Sequence, residues 1–479
     1  MKAFRSQFTW ALALGCSALT FSLSVRAQAQ TLTYLAVFDG TNGNEPSSVI
    51  QATDGNFYGA TTYGQASEYG NVVKITPAGE VSTLYNFCSK PHCTDGAWPE
   101  TPPILGSDGN FYGVTSAGGS DLGNGGGSGT VYKLTLAGVL TTLHTFCTVD
   151  PCLDGQNPVG IMQAADGNLY GTTYSAGQYN AGTLFKITTA GEFSVLHSFC
   201  SQSNCADGQW PRSAPIQGSD GNLYGTTQEG GKADAGVLYD LTPAGRFNVV
   251  HTFLCAYTTC PRGGDPITVV QDPEGNLFGA TEFGGIYGDG TLFEITSTHE
   301  FINLQSFTYG PETSPTGLTL ANDGNFYGAT EGINGLGTIF QLTPKGAYTT
   351  LYNFTSQSGS SAPYTGISQA PDGNFYGGVL DYSVDGFNSN GAIYRFSNNL
   401  SPLVETNPTM GPVGTSVLIL GNNLTGTTSV TFNGVEAKFT VESDTYIKAT
   451  VPKGAMTGTV SVVTTTGTLN SNPQFVVTK

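Results

Sequence analysis

The chain has 479 residues and a formal net charge of −18; 11% of its residues are charged and 11% are aromatic. This composition excludes an intrinsically disordered chain, because disorder goes with few aromatic residues and much charge. The 66 glycines, abundant Thr, Tyr, Phe and Val, and few Lys, Glu and Met argue against a helical protein and predict an all-β fold with many tight turns. The acidity argues against nucleic acid and anionic membranes as partners.

The first element in chain order is an export signal. Lys2 and Arg5 precede an apolar run that ends near Val25, and Ala27–Ala29 supplies the small residues of a cleavage site. We therefore predict a signal peptide over 1–29 and an exported chain, either secreted or held at the cell surface or in the periplasm. A membrane anchor is the alternative, but Ser and Thr interrupt the run, and no later stretch is apolar enough to span a bilayer.

Eight cysteines follow the signal and fall into four pairs of identical spacing. An even number of cysteines in regular local pairs predicts disulfides in an exported chain. Metal binding is the alternative, but zinc sites usually use closer pairs such as C-x2-C. The predicted disulfides are Cys88–Cys93, Cys147–Cys152, Cys200–Cys205 and Cys255–Cys260.

A repeat dominates the chain after the signal. Each unit reads as four short strands; in one of them these are 103–105, 110–115, 130–135 and 139–146, joined at Asp-Gly and Ala-Gly turns. Four strands in about 50 residues, repeated, are typical of β-propeller blades. Glu274–Asn276 replaces the Asp-Gly-Asn tripeptide in one unit. In the others the tripeptide starts at Asp54, Asp108, Asp166, Asp220, Asp323 and Asp372.

The two ends of the repeat region complement each other. The segment Leu32–Phe38 resembles a fourth strand but precedes the first unit, whereas the last unit ends after Tyr394–Phe396 without a fourth strand. We therefore predict that Leu32–Phe38 pairs with the strand that contains Tyr394 and closes a seven-bladed propeller over 30–400. An open β-solenoid is the alternative, and it would need no such complementary ends.

The loops predict which end of the propeller binds. The Asp-Gly and Ala-Gly turns are short, whereas the long loops and all the cysteine pairs lie at the other end, and variable loops on a rigid scaffold usually carry binding sites. Aromatic rings beside carboxylates suit sugars, although the two tryptophans could instead cap gaps beneath the loops. The candidate ligand-binding residues are Trp98, Trp210, Asp95, Asp207, Tyr174 and Tyr287.

No pattern in the sequence predicts catalysis, a metal site or a cofactor. His144, His197 and His251 share one position in three fourth strands where other units have Tyr, Gln or Ala, so we interpret them as packing residues. The G-x-S-x-G, H-E-x-x-H and P-loop motifs are absent from the sequence. A calcium loop needs oxygen ligands over a dozen residues, so we interpret Asp-Gly-Asn as a turn.

The repeats end near Pro402, and the rest of the chain alternates in the manner of a small β-sandwich. The runs Gly411–Thr415, Gly421–Leu424 and Val430–Gly434 resemble the IPT/TIG family of immunoglobulin-like domains. Over residues 402–479 this resemblance implies a spacer or adhesion module and brings no catalytic residue.

The repeats themselves resemble the GloVer tandem repeat of secreted bacterial proteins, in runs such as Gly182–Thr188, Asp220–Thr227 and Leu241–Gly245. This resemblance implies export and surface association. The sequence thus predicts a monomeric, non-catalytic binding or surface-associated protein whose partner is a polysaccharide or a cell-surface protein. A carbohydrate-active lyase or hydrolase with its site at the mouth of the propeller is the alternative, and a scaffold without a small ligand is the third interpretation.

Overall fold

The computed structural model describes residues 30–64, 68–119, 126–254, 260–333, 336–355, 363–380, 382–384 and 387–478. Within them the structure is almost entirely β, with 3-10 turns at Pro91–Cys93 and Ser203–Cys205. The predicted signal peptide, 1–29, lies outside the described residues. None of the helical segments described has the length and apolar character needed to cross a membrane.

The strands of the repeat region follow the predicted pattern of four per unit. They are β1 (Thr31–Val37), β2 (Asn44–Gln51), β3 (Phe57–Tyr63), β4 (Asn71–Ile75), β5 (Val81–Asn86), β6 (Ile104–Leu105), β7 (Phe111–Thr115), β8 (Thr130–Leu134), β9 (Leu140–Thr145), β10 (Gln156–Gln163), β11 (Leu169–Ser175), β12 (Thr183–Ile187), β13 (Phe193–Ser198), β14 (Ile216–Gln217), β15 (Leu223–Thr227), β16 (Val237–Leu241), β17 (Phe247–Thr252), β18 (Gly264–Gln271), β19 (Leu277–Phe283), β20 (Thr291–Ile295), β21 (Phe301–Ser306), β22 (Pro315–Leu320), β23 (Phe326–Thr330), β24 (Thr338–Leu342), β25 (Tyr348–Asn353), β26 (Ser368–Gln369), β27 (Phe375–Val379), β28 (Tyr382–Val384), β29 (Phe387–Ser389) and β30 (Ala392–Ser397).

Apart from β28 and β29, which pair only with each other, these strands form seven four-stranded antiparallel sheets, which we call sheets 1 to 7 and, together, the array. Sheets 1 to 6 are β2–β5, β6–β9, β10–β13, β14–β17, β18–β21 and β22–β25, each in chain order. Sheet 7 has the order β26-β27-β30-β1, with Leu32 opposite Phe396 and Tyr34 opposite Tyr394. The predicted pairing of the N-terminal strand with the last repeat is therefore confirmed.

At four of the junctions between neighbouring sheets, aromatic residues of the two second strands pack together. The ring centroids of Tyr58 in sheet 1 and Phe111 in sheet 2 lie 4.5 Å apart. Tyr376 in sheet 7 lies 4.5 Å from Phe57, so the last sheet contacts the first. Gly377 has to be glycine, because a Cβ there would lie 2.4 Å from the hydroxyl of Tyr394. The aromatic-Gly pair of each repeat, Tyr-Gly in six of them and Phe278-Gly279 in sheet 5, thus supplies one ring for packing and room for another.

The Asp-Gly-Asn tripeptides build tight turns, as predicted. Asp54 accepts a hydrogen bond from the backbone N–H of Asn56 at 3.1 Å and from the Asn56 amide at 2.8 Å. The same carboxylate accepts from the Tyr58 hydroxyl at 2.8 Å and from Lys74 Nζ at 2.9 Å. The aspartate therefore ties its turn to the second and third strands of its own sheet.

The C-terminal segment forms two more four-stranded sheets, β31-β33-β37-β36 and β35-β34-β38-β39, around one apolar cluster that includes Val417, Phe432 and Ile447. Its strands are β31 (Glu405–Asn407), β32 (Met410–Gly411), β33 (Ser416–Leu420), β34 (Ser429–Phe432), β35 (Val435–Glu436), β36 (Lys438–Val441), β37 (Tyr446–Thr450), β38 (Val460–Thr464), β39 (Gly467–Asn470) and β40 (Val476–Val477). We call residues 402–478 the C-terminal unit.

The C-terminal unit packs against the end of the array that carries the Asp-Gly turns. Leu418 and Leu420 share one buried cluster with Ala52, Leu105 and Phe111 of sheets 1 and 2. We call this end of the array the floor and the opposite end, which carries the cysteine loops, the mouth. The sequence predicted the two ends of the array but not the position of the C-terminal unit on one of them.

Candidate binding site at the mouth

The loops at the mouth are tied by disulfides, as predicted. Cys88–Cys93, Cys147–Cys152 and Cys200–Cys205 are bonded. Cys260 is also disulfide-bonded, and its predicted partner, Cys255, lies outside the described residues. Each of the three bonded pairs fixes a loop between a fourth strand and the next first strand.

The two predicted ligand-binding carboxylates, Asp95 and Asp207, lie beneath these loops. Asp207 is fully buried and accepts hydrogen bonds from His197 Nε2 at 2.9 Å and from the Ser201 hydroxyl at 2.7 Å. Burial alone would raise the pKa of Asp207, but these bonds lower it to about 2. Asp95 is equally buried and accepts from the Tyr85 hydroxyl at 2.7 Å. Both carboxylates hold their own loop, and neither lines the cavity described below.

The three equivalent histidines pack on the next sheet, as predicted. His197 stacks on Phe247 with ring centroids 3.8 Å apart, and His144 stacks in the same way on Phe193. His144 and His197 also bond an aspartate ten residues later, a partner that the constant spacing could have revealed. His251 has no such partner, and burial and the charge of Arg262 lower its pKa to about 4.

A cavity of about 890 Å³ opens at the mouth, and we call it the mouth cavity. Its wall includes Ser48 and residues that directly follow a proline in, or a few residues before, a first strand, so six of the seven sheets present a side chain at a similar place. The members of this wall differ in charge, size and polarity. They are Ser48, Glu100, Val159, Arg212, Thr316 and Tyr364.

The residues directly before six of the seven equivalent prolines, now including Pro266 of sheet 5, share an unusual backbone. Each has a φ between 53° and 58°, in the left-handed region. This conformation points the backbone N–H at the preceding sheet; for example, Trp98 N–H donates to the Tyr69 carbonyl at 2.8 Å, and Asp265 N–H donates to the Ala235 carbonyl at 3.1 Å. A strained backbone persists only where its surroundings fix it. The residues are Glu45, Trp98, Asn157, Trp210, Asp265 and Ser314.

Two of the predicted aromatic residues meet at the mouth cavity. Trp98 and Tyr174 both line it, and Trp98 also lines an adjoining recess of about 610 Å³ together with Tyr69. Trp210 lies behind the wall and stacks on Tyr174 at 6.1 Å. Tyr287 is 62% exposed and lines neither space. The structure thus brings Trp98, Tyr174 and Trp210 to one site and leaves Tyr287 outside it.

Charge is distributed unevenly around the mouth. Arg212 forms a salt bridge with Glu282. Burial and the negative charge of Glu282 raise the pKa of Asp265 and of Glu331. The Arg212 charge acts the other way on both groups, and a hydrogen bond from Gln228 also lowers the pKa of Asp265. The carboxyl groups of Asp265, Glu282 and Glu331 thus lie near one positively charged side chain, that of Arg212. In the described part of the chain, no three His, Cys, Asp or Glu side chains are grouped to hold a metal ion.

Tyr364 also lines the mouth cavity. Its hydroxyl donates to the Pro46 carbonyl at 3.0 Å. Burial and the charges of Glu45 and Glu100 raise the pKa of Tyr364, so the phenol stays protonated. Tyr364 and Arg212 were not among the predicted ligand-binding residues, although aligning the residues that follow the equivalent prolines of the repeats shows both.

Comparison with known proteins identifies the repeat. The Gloeobacter/Verrucomicrobia repeat matches residues 17–215, 123–332 and 211–441. No curated protein matches the chain.

Three solved structures show a distant similarity of fold. An ulvan lyase of a polysaccharide lyase family is 10% identical, with 76% of this chain and 95% of that chain covered and a TM-score of 0.47. A puromycin-hydrolyzing peptidase of Mycobacterium tuberculosis is 12% identical (83% and 62% covered, TM-score 0.45). A luciferin-regenerating enzyme is 11% identical (78% and 98% covered, TM-score 0.37). Similarity at this level carries no information on the site.

Proposed function

Because the chain belongs to the Gloeobacter/Verrucomicrobia repeat family, we propose that it is an exported, non-catalytic binding protein built on a closed seven-bladed β-propeller. The pairing of β1 with β30 and the contact of Phe57 with Tyr376 support closure. Disulfides are typical of exported proteins, which supports a signal peptide over 1–29 and a final place outside the cell, at its surface or in the periplasm.

The proposal includes an IPT/TIG immunoglobulin-like domain over residues 402–479. Two four-stranded sheets around a common apolar cluster support it, because this is the layered arrangement of a β-sandwich. The protein would then be a monomer with a binding end and a second domain at the opposite end.

The ligand that best fits the mouth cavity is a carbohydrate. The observation that carries this proposal is that Trp98 and Tyr174 share one cavity with Glu100 and Asn157. A sugar ring offers apolar C–H faces, which suit indole and phenol rings, and hydroxyl edges, which suit carboxylate and amide oxygens. The volume of about 890 Å³ is sufficient for a short oligosaccharide.

The charge of the mouth narrows the class of sugar. Glu45 and Glu100 line the cavity, and Arg212, the one basic residue among its described lining residues, is already paired with Glu282. A carboxylated or sulfated chain would therefore meet uncompensated negative charge. We propose a neutral or amine-bearing polysaccharide, held as a chain segment at the cell surface.

The test is binding of purified protein to neutral, amine-bearing and uronic acid oligosaccharides, measured by calorimetry. We expect binding of one of the first two classes, and Trp98→Ala should weaken it at least about tenfold, since tenfold corresponds to the loss of only one good contact. Tyr287→Ala is the matched control, because it removes an exposed aromatic ring outside the cavity. Equal loss in both variants, or binding of uronic acid chains alone, would contradict the proposal.

A carbohydrate-active lyase or hydrolase remains the second candidate, and one observation favours it. Asp265 and Glu331 have raised pKa values and lie near Arg212 and Glu282, and such clusters occur at catalytic sites. Prolonged incubation with the bound oligosaccharide, followed by product analysis, distinguishes the two. Cleavage that Asp265→Asn abolishes while binding persists would establish the enzyme.

A further inference from the structure

A glutamine at the end of the first strand links neighbouring sheets at the floor. Gln163 of sheet 3 donates to the Gly167 carbonyl of its own turn at 2.9 Å and accepts from the Ser107 N–H of sheet 2 at 2.8 Å. In the equivalent links, the donor is again the backbone N–H of the residue directly before the Asp-Gly turn of the preceding sheet. The other three links are Ala165 to Gln217, Ser219 to Gln271 and Asn322 to Gln369, each between 2.7 and 3.0 Å.

Three of the seven sheets lack this link. Gln51 of sheet 1 keeps the glutamine, but the donor position in sheet 7 is Pro371, which has no N–H. The side-chain oxygen of Gln51 is consequently buried without a hydrogen-bond partner among the described residues. Sheets 2 and 6 have Leu105 and Leu320 in place of the glutamine, and sheet 5 has Pro273 where the donor to sheet 6 would be.

The C-terminal unit bonds to the array at these same three residues. The Asn407 amide donates to the Leu105 carbonyl, and the Asn472 amide donates to the Leu320 carbonyl at 2.8 Å. Gln51 donates to the Asn422 side-chain oxygen at 3.3 Å. Three asparagines from separate parts of the unit thus meet the three sheets in which the glutamine link fails.

Further contacts spread the unit across the floor. Thr445 donates to the Thr53 carbonyl of sheet 1. Met410 and Val476 face Ile216 of sheet 4 and Leu318 of sheet 6 across a cavity of about 340 Å³. The unit therefore contacts sheets on both sides of the array rather than a single edge.

We propose that the C-terminal unit is a clamp that closes the floor of the array, in which Asn407, Asn422 and Asn472 replace the three missing glutamine links. A spacer domain would need no hydrogen bonds to sheets 1, 2 and 6, because its covalent connection to the last strand of the array is sufficient. A clamp couples the sheets that its contacts join, so the array and the unit unfold together. It also leaves the mouth as the entrance for a ligand.

The test uses the full chain and does not depend on the ligand. Asn407→Asp with Asn472→Asp keeps size and shape but replaces both amide donors with acceptors, which then face the Leu105 and Leu320 carbonyls. Asn470→Asp, an exposed residue of the same unit, is the control. Calorimetry should show one transition for the wild type and the control, and two for the double variant.

Hydrogen exchange provides the second readout. In the double variant, the amides of β6 and β22 at the floor should exchange faster, while those of the mouth loops stay unchanged. Two transitions in the wild type, a double variant that behaves like the control, or an equal rise of exchange over the whole chain would each overturn the clamp. If the double variant does not fold, Asn472→Asp alone should still accelerate exchange in β22, and its failure to do so would overturn the clamp as well.

Discussion

Glu405 should make the stability of the protein fall as the pH rises. Its side chain lies at a floor cavity of about 260 Å³, beside Ile104, Leu105 and Met162 of the array. Burial, and then the charge of Asp372, raises its pKa from 4.5 to about 7. The folded protein therefore holds this proton more tightly than the unfolded chain does.

The difference between the folded and unfolded pKa of Glu405 determines how its contribution to the free energy of unfolding changes with pH. Below pH 4.5 both states carry the proton, so Glu405 costs nothing; between pH 4.5 and about 7 the folded state loses stability, and above 7 the loss is complete. A shift of this size corresponds to about 3 kcal/mol. Because Glu405 stays partly accessible, this figure is an upper bound.

The assay is urea unfolding of the wild type, Glu405→Gln and Glu442→Gln from pH 4.5 to 8. Glu405→Gln removes the titrating group and should match the wild type at pH 4.5 but exceed it by up to about 3 kcal/mol at pH 8. Glu442 is an exposed carboxylate of the same unit, so its variant should follow the wild-type curve. Parallel curves for the wild type and Glu405→Gln would refute the reasoning.

Two further predictions concern the mouth loops. Cys200→Ser with Cys205→Ser should lower the free energy of unfolding by about 2 kcal/mol, the loop-entropy value for so short a loop; an unchanged urea midpoint would contradict it. Arg262→Asp should raise the pKa of His251 from about 4, because it removes a positive charge and supplies the kind of partner that Asp207 gives His197. An NMR titration of the His251 ring measures this pKa, and an unchanged value would contradict the conclusion that the charge of Arg262 lowers it.

The sequence predicted the features that repeat. Regular spacing located the strands, the turns and the cysteine pairs, and the complementary ends predicted the pairing of β1 with β30. Repetition could not tell whether a loop carboxylate points inward, because Asp95 and Asp207 have the same neighbours in sequence either way. Their burial depends on the Tyr85 and His197 side chains, which reach them from an adjacent strand.

The clamp could not be predicted for a different reason. Leu105, Leu320 and Pro371 appear in the sequence as ordinary departures from a repeat. Their meaning emerges only when the glutamine links of the other sheets are known and the C-terminal asparagines are seen beside them. A departure from a repeat is informative when a distant segment compensates for it, and no local pattern shows that.

At one position in six of the mouth loops, the backbone links neighbouring sheets while the side chain is free to vary. At the left-handed position before six of the equivalent prolines of the repeats, the backbone N–H makes the link to the preceding sheet, as for Trp98 and Asp265. The link therefore does not depend on which side chain is attached, and in different sheets the position holds Glu, Trp, Asn, Asp or Ser. A repeat that bonds its neighbours through the backbone can vary its side chains one sheet at a time. If the mouth binds a ligand as we propose, this freedom would let the specificity for an asymmetric ligand change there without weakening the links between sheets.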